Sequence, residues 1–156
     1  MGVFNKKVVL QRVKKASVSV EDKKIAEIAK GFLIFVGIDK RDTIRSIEDM
    51  AKKIGKIRVF EDKGGKMNLD IGEAGAKILS VSQFTLNART DKGNRPGFGD
   101  AQEPEKAKDL WLKFNDLLST QGINVEEGAF GEHMDIEILN DGPVTFVLEN
   151  NTLGEE

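Results

Sequence analysis

The 156-residue sequence contains no cysteine, no tyrosine and a single histidine, His133. Without cysteine the chain cannot form disulfides, thiol nucleophiles or cysteine-based zinc sites. A lone histidine without a second ligand at a suitable spacing is a poor candidate for a metal centre. We therefore expect neither a metal nor a cofactor.

Long apolar runs and a strong excess of one charge are also missing. No run approaches the roughly 18 residues of a membrane span, and the first residues lack the hydrophobic stretch of a secretory signal. The formal net charge of −2 argues against sequence-blind coating of DNA but permits tRNA to be held by a local basic patch. We expect a soluble, unprocessed chain without membrane contact, and the absence of cysteine fits a reducing cytoplasm.

The hydrophobic pattern predicts one domain over residues 1–156, a length that can bury a real core. Asp42 is expected to cap a helix with apolar residues at the helical spacing through Ile57, and a second helix is expected to begin near Pro104 and to end at Gly122. The predicted strands are 7–13, 16–20, 23–29, 31–38, 58–60 and 76–84, followed by a hairpin of 135–139 and 144–148. Because the strands occur in runs rather than in alternation with helices, the fold class is α+β with two main helices.

Three hydrogen-bonding side chains close the predicted strand 76–84, at Ser82, Gln83 and Thr85, with Phe84 among them. Such groups at a strand end can face a cleft, but they can equally be satisfied by the backbone at an ordinary strand exit. The chain between residues 88 and 102 follows as a long polar loop.

Two further segments allow more than one interpretation. Gly142-Pro143 is typical of a hairpin turn, yet a cis bond there would direct two backbone carbonyls the same way, towards an ammonium group. The basic stretch 92–96, together with Arg12, Lys14 and Lys15, can contact phosphates or can be ordinary solvated charge.

Several segments, taken together, resemble one known family. They are 11–13 (QRV), 16–18 (ASV), 31–38 (GFLIFVGI), 58–60 (RVF), 65–69 (GKMNL), 81–86 (VSQFTL), 93–96 (GNRP) with Phe98, 128–131 (GAFG) with Met134, and 140–145 (NDGPVT). In this order they are similar to the D-aminoacyl-tRNA deacylases, first known as D-Tyr-tRNA deacylases. The resemblance runs from about Lys7 to Glu149, nearly the whole chain.

The resemblance implies a compact, mixed-sheet, barrel-like domain that forms a homodimer, with the active site at the subunit interface. Gly142-Pro143 would be a cis pair that enters the partner's pocket and receives the α-amino group of the substrate, and Arg12 resembles the residue that holds this pair. The implied catalytic pocket consists of Ser82, Gln83, Phe84 and Thr85. Phe130 and Met134 would seat the terminal adenosine of the tRNA.

The implied reaction is hydrolysis of the ester in D-aminoacyl-tRNA, a proofreading step in translation. Because that ester is already activated, positioning of water and backbone N–H donors near Phe84 and Thr85 can suffice. A side chain of L configuration would clash, whereas glycine, which has none, should be accepted.

Two other functions compete with hydrolysis. One is a nucleic-acid-binding module on the same fold, and the other is a structural or ligand-binding dimer that has lost activity. A hydrolysis assay separates the enzyme from the nucleic-acid-binding module.

Overall fold

The computed structural model describes the backbone of residues 3–153 and the side chains of residues 7–149. The strands in this part of the chain are β1 (Val3–Val20), β2 (Lys23–Ile28), β3 (Gly31–Gly37), β4 (Phe60–Glu61), β5 (Met67–Leu69), β6 (Lys77–Ser82), β7 (Val125–Glu127) and β8 (Asp135–Leu153). The helices are α1 (Ile44–Lys56), α2 (Ile71–Ala74), α3 (Pro104–Ser119) and a 3₁₀ turn at Phe84–Asn87.

The long strand β1 organises the sheet. One of its edges pairs with β8 from Val3 to Ser19. Its other edge pairs first with β3, through residues 7–13, and then with β2, through residues 16–20. Beyond β3, the strands β6 and β7 are added in parallel. The result is a mixed, nearly closed, barrel-like sheet, which confirms the α+β prediction.

Two apolar clusters fill the fold on opposite faces of the sheet. The larger lies between the sheet and the helices α1 and α3, and the smaller is built from side chains of β1, β2, β3 and β6. The strand β3 contributes to both, because Phe32 and Ile34 belong to the first cluster and Leu33 to the second. Burial on both faces explains why its sequence is continuously apolar.

A bulge in β1 explains why the sequence pattern indicates two strands there. The pairing with β8 shifts between Val13 and Lys15, which leaves Lys14 as an extra residue. Side chains alternate between the faces of a strand, and one extra residue reverses that alternation. Val13 and Ala16 therefore both face the smaller cluster.

Several predicted boundaries were wrong. The expected hairpin of 135–139 and 144–148 is a single strand, β8, because both halves pair with β1 rather than with each other. Helix α1 is capped by Thr43, which accepts from the N–H of Ser46 at 3.2 Å. The buried carboxylate of Asp42 instead accepts from the N–H of Asp39 at 2.7 Å.

The other differences concern short elements. The predicted strand 76–84 ends at Ser82, where the chain turns into the 3₁₀ segment, and the predicted strand 58–60 begins only at Phe60. The pattern missed β5, β7 and α2, which have three or four residues each. Such lengths are too short to show a hydrophobic period. No helix of the described segment is long and apolar enough to cross a membrane.

Gly31 permits the closest backbone approach between neighbouring strands. A Cβ atom at Gly31 would lie 1.9 Å from the carbonyl oxygen of Lys77 in β6. We predict that Gly31→Ala lowers the free energy of unfolding by roughly 1–3 kcal/mol, because β3 and β6 must move apart. Urea denaturation measures the change. Gly99→Ala is the matched control, since a Cβ atom there meets nothing within 4 Å, and equal stability of the two variants would contradict the prediction.

Candidate active site

A cleft of about 430 Å³ opens beside the end of β6. It is lined by Ile38, Val81, Ser82, Gln83, Phe84, Ala101, Gln102, Pro104, Ala107, Phe130, Gly131, Glu132, His133, Met134 and Ile136. Five residues singled out by the sequence meet here, namely Ser82, Gln83, Phe84, Phe130 and Met134. The cleft therefore joins the end of one strand to the segment that precedes β8.

The first wall of the cleft depends on a close approach at Gly37. The N–H of Gln83 donates to the carbonyl of Val36 at 2.8 Å, and the chain then turns into the 3₁₀ segment. A Cβ atom at Gly37 would lie 2.9 Å from both Asn87 Oδ1 and Leu86 Cβ. Glycine at this strand end thus lets the turn that carries Phe84 and Thr85 pack directly on β3.

The polar groups of this turn remain accessible. Gln83 Nε2 donates to Thr85 Oγ1 at 2.5 Å, so that the Thr85 hydroxyl keeps its own proton for another acceptor. Thr85 is exposed and follows Phe84, which lines the cleft. The N–H groups of Phe84 and Thr85 begin a 3₁₀ turn, and the first N–H groups of a helix have no acceptor within it.

The opposite wall is built from apolar side chains backed by α3. The rings of Phe130 and Trp111 lie 5.8 Å apart, and Trp111 Nε1 donates to the buried hydroxyl of Ser80 at 3.0 Å. Met134 lies against Gly128, where a Cβ atom would come within 3.0 Å of its sulfur. This wall is suited to a flat, apolar group such as a nucleobase.

The second group of predicted residues forms a wide bulge in β8. Gln11 pairs with Thr145 and Val13 with Asn140, so that residues 141–144 of β8 face Arg12 alone. The Gly142-Pro143 peptide bond within the bulge is cis, as the resemblance implied. Both residues are exposed.

Gly142 is required by its backbone conformation. Its φ angle of 152° lies in a region that other residues rarely adopt, and a Cβ atom would come within 2.5 Å of Val144 Cγ2 and 2.7 Å of Val144 N. The bulge therefore tolerates no side chain at this position.

Two side chains hold the bulge in place. The guanidinium of Arg12, a residue only 5% exposed, donates to the carbonyl of Asp141 at 3.1 Å and to that of Val59 at 2.6 Å. Asn140 spans the base of the bulge, since its Oδ1 accepts from the N–H of Val144 at 2.8 Å and its Nδ2 donates to the carbonyl of the same residue at 3.1 Å. A buried cation and a half-buried amide thus fix the four residues from opposite sides.

Two carboxylates lie near the single positive charge of Arg12. Its guanidinium lies 3.6 Å from the carboxylate of Asp141 and 4.0 Å from that of Glu61. Both acids are more exposed than Arg12, so the hydrogen bonds to buried carbonyls matter more than these ion pairs. Arg12 is consequently a fixed structural cation, with little freedom to leave the bulge.

The loop 88–102 is tied to the start of α1. The N–H of Gln102 donates to the carbonyl of Ile38 at 3.0 Å, and the N–H of Lys40 donates to the carbonyl of Asp100 at 2.8 Å. At the same place the buried carboxylate of Asp39 accepts from Arg41 Nε at 2.8 Å, and this hydrogen bond raises the pKa of Arg41. These backbone hydrogen bonds fix the end of the loop, which contributes Ala101 and Gln102 to the cleft wall.

The structure places the predicted site residues in two groups. Ser82, Gln83, Phe84, Phe130 and Met134 line the cleft, whereas Thr85, which follows Phe84 in the chain, is exposed and is not one of the lining residues. Gly142 and Pro143 do not line the cleft of their own chain, and Arg12 lies beneath them. Among the described residues, no group of three His, Asp or Glu side chains is placed to hold a metal ion.

Some supporting residues were missed by the sequence argument. Trp111 lies within the second predicted helix but was not singled out, and its contact with Phe130 depends on how α3 packs. Gly37 and Gly128 gave a weak signal, because a glycine within or beside an apolar strand can mark a close approach. Asn140 belonged to a motif but had no stated role.

Comparison with known proteins gives a consistent result. A sequence model of the family described as D-Tyr-tRNA(Tyr) deacylase matches residues 9–149. A protein of Bifidobacterium animalis subsp. lactis, named D-aminoacyl-tRNA deacylase, is 48% identical over 157 aligned residues, which cover 95% of this chain and 99% of the relative. A protein of Thermodesulfovibrio yellowstonii with the same name is 50% identical over 139 residues, covering 89% and 95%.

Two solved structures share the fold. One, named c-Myc DNA Unwinding Element Binding Protein, has a TM-score of 0.87 at 39% identity and covers 92% of this chain and 98% of its own. Another, described as a probable eukaryotic D-amino acid tRNA deacylase, has a TM-score of 0.82 at 16% identity and covers 94% and 100%. At that lower identity the likeness concerns the fold alone.

Proposed function

This chain belongs to the D-Tyr-tRNA(Tyr) deacylase family and hydrolyses the ester of D-aminoacyl-tRNA, and we propose that it does so in sites shared between two copies of the chain. One observation carries the proposal. The cleft of one chain contains Ser82, Gln83, Phe84, Phe130 and Met134, which are predicted to contact the ester and the nucleoside, but it does not contain the exposed Gly142-Pro143 pair. This separation favours a site to which one chain contributes the cleft and another the Gly142-Pro143 pair.

The strand β8 supplies the surface that a second copy would cover. Within the described residues its inner edge pairs with β1 and no strand pairs with its outer edge. It also exposes large apolar side chains, with Ile138 at 38%, Leu139 at 56% and Val147 at 63%. An open edge with exposed apolar groups favours pairing with another chain. A two-fold axis across β8 would bring both bulges to the partner's clefts.

The substrate would then lie between two chains. The carbonyl oxygens of Gly142 and Pro143 would accept hydrogen bonds from the α-ammonium group, and Ser82 and Gln83 would line the space around the ester. Phe130 and Met134 would enclose the terminal adenine against the apolar wall. Once the amine and the ester are fixed, only one direction remains for the amino-acid side chain, and an L side chain would meet the backbone.

Hydrolysis in this site needs no protein nucleophile. Water would attack the ester carbonyl, and the developing oxyanion would accept from the N–H groups of Phe84 and Thr85. The Thr85 hydroxyl, whose oxygen already accepts from Gln83, would donate to the water or to the ester. The 2′-hydroxyl of the terminal ribose lies next to the ester in any aminoacyl-tRNA and can assist proton transfer from the attacking water.

The substrate suggests a place of action and a further substrate. Because aminoacyl-tRNA is used in translation, we propose that the enzyme works in the cytoplasm. Glycyl-tRNA lacks the side chain that the pocket would refuse and is proposed as a second substrate. A nucleic-acid-binding role is the second candidate, because the 39%-identical structure is named as a DNA unwinding element binding protein. The hydrolysis assay separates these roles.

We expect the purified protein to release D-tyrosine from D-Tyr-tRNA and glycine from Gly-tRNA, while L-Tyr-tRNA stays intact. The reason is the steric refusal of an L side chain. Ester loss is followed with labelled amino acid, with and without EDTA, and the chelator should leave the rate unchanged. Equal hydrolysis of the D and L esters would contradict the chiral pocket, and activity lost to EDTA and restored by zinc would contradict metal-free hydrolysis.

Thr85→Ala should lower kcat about 5- to 30-fold, because one orienting hydrogen bond contributes ~1–2 kcal/mol. Thr85→Ser keeps the hydroxyl and is the matched control, with activity near that of the wild type. Complete loss of activity in folded Thr85→Ala, or an ester trapped on Thr85 of the wild type, would show a covalent nucleophile instead.

Mixing two impaired variants tests whether the site is shared. Gly142→Ala places Cβ within 2.5 Å of Val144 and should destroy the bulge, whereas the double variant Gln83→Ala, Thr85→Ala damages only the cleft. A mixed dimer joins one intact cleft to one intact bulge. Unfolding the two variants together and refolding them should therefore restore about a quarter of wild-type activity, since half of the dimers are mixed and each has one complete site.

The refolding experiment has two controls. Each variant refolded alone should stay well below the activity that the mixture regains. Gly122→Ala introduces alanine at a φ angle of 86° where a Cβ atom meets nothing within 4 Å, so it reports the cost of the backbone conformation alone. No recovery in mixtures whose dimers form normally would place the complete site within one chain.

A further inference from the structure

A second concavity, of about 330 Å³, lies on the loop 88–102 next to the cleft. It is lined by Arg89, Asp91, Lys92, Arg95 and Gly97. The loop is folded back on itself here, because Arg89 and Gly97 exchange two backbone hydrogen bonds of 2.7 and 2.9 Å. The concavity is therefore a formed surface with three cationic side chains and one acid.

The cations of this surface differ in what they are paired with. Arg89 lies 3.6 Å from the carboxylate of Asp91 and 3.8 Å from that of Asp100. Lys92 and Arg95 are exposed and form no ion pair with any side chain between residues 7 and 149. Two cations thus remain for an external anion, in a chain whose overall charge is slightly negative.

A pair of exposed aromatic rings connects this surface to the cleft. Phe98 follows Gly97 directly and is 41% exposed, and Phe84 in the cleft is 57% exposed. Their ring centroids lie 5.0 Å apart at an angle of 60°. The same loop also contributes Ala101 and Gln102 to the cleft wall, so one loop carries both the cationic surface and part of the cleft.

Unpaired cations beside exposed aromatic rings match the chemistry of single-stranded nucleic acid. Bases stack on the rings without regard to sequence, and the cations contact the phosphates. Duplex nucleic acid would use the cations but would leave the ring of Phe98 without a base to stack on. The feature that decides between the two is the position of Phe98, between the cations and the cleft.

We propose that Phe98, Lys92 and Arg95 form a binding surface for the single-stranded 3′ end of the tRNA, upstream of the terminal nucleotide. Phe98 stacks on a base next to the terminal adenosine, and Lys92 and Arg95 contact the phosphates that follow towards the acceptor stem. The proposal rests on the proposed function, because the terminal ester must lie in the cleft for the preceding nucleotides to reach Phe98.

The test compares a complete and a minimal substrate of the dimeric enzyme. Phe98→Leu keeps an apolar contact with Phe84 but loses the aromatic face, and it should raise KM for D-Tyr-tRNA about tenfold. Phe98→Tyr keeps the aromatic ring and should have the wild-type KM.

The double variant Lys92→Gln, Arg95→Gln should raise the same KM. The affinity falls as salt is added, and the slope of log affinity against log salt should become less steep by about 1.4, because two contacts to single-stranded phosphates are lost. The corresponding ester of adenosine alone should be hydrolysed by this double variant as by the wild type.

The charge-matched control is Lys52→Gln, Lys108→Gln, which removes exposed cations from α1 and α3 and should leave KM for tRNA unchanged. Binding of uncharged tRNA, measured by fluorescence anisotropy, supplies a readout independent of hydrolysis. Wild type should bind intact tRNA more tightly than tRNA without its last three nucleotides. In the Lys92, Arg95 double variant this difference should become smaller, because the contacts of the terminal nucleotides with the cleft and with Phe98 remain.

Three results would overturn the proposal. The first is an unchanged KM for D-Tyr-tRNA in both Phe98→Leu and the Lys92, Arg95 double variant. The second is a rise in KM of the double variant that is as large for the adenosine ester as for D-Tyr-tRNA. The third is a loss of affinity of the double variant that is equal for intact and shortened tRNA. The second would place these residues in the ester pocket, and the third would place them on the duplex stem. A wild type that hydrolyses neither D-ester would refute the proposed function instead, while the binding comparison would still decide the role of the surface.

Discussion

The buried guanidinium of Arg12 is the constraint on which the rest of the site depends. A strand can place four residues opposite one only if their backbone groups find partners, because unpaired buried groups are costly. Arg12 supplies two donors to carbonyls on either side of it, and Asn140 closes the base of the bulge. Gly142 and Pro143 can then stay exposed at a fixed position on an otherwise regular strand.

The long pairing of β1 with β8 connects this bulge to the fold. Because β1 also pairs with β3 and β2, a displacement of β8 would disturb both apolar clusters. The cleft depends on the same sheet through β6, whose last residue begins the wall that carries Phe84 and Thr85. In the proposed dimer, the cleft of one chain would meet the bulge of the other without any moving element. Such a fixed arrangement allows an enzyme without a nucleophile to hold water and ester in attack geometry.

Resemblance and physical pattern contributed differently to the sequence predictions. The pattern located β3, α1 and α3 nearly correctly, because burial on two faces and the helical period leave clear signals. It misinterpreted the chain around residues 140–143 as a hairpin turn, since a bulge and a turn use the same Gly and Pro residues. Ordered motifs identified the family where no single motif was specific.

The sequence by itself determined the family, the α+β class and five of the fifteen residues that line the cleft, because these follow from local composition and from motifs in order. Only the tertiary structure decided that the pocket residues and Gly142-Pro143 lie in separate groups within one chain. It also decided that Arg12 reaches Asp141, 129 residues away in sequence, and that Phe98 lies against Phe84. These contacts depend on strand register and loop path, and register is set by the whole sheet rather than by any local segment.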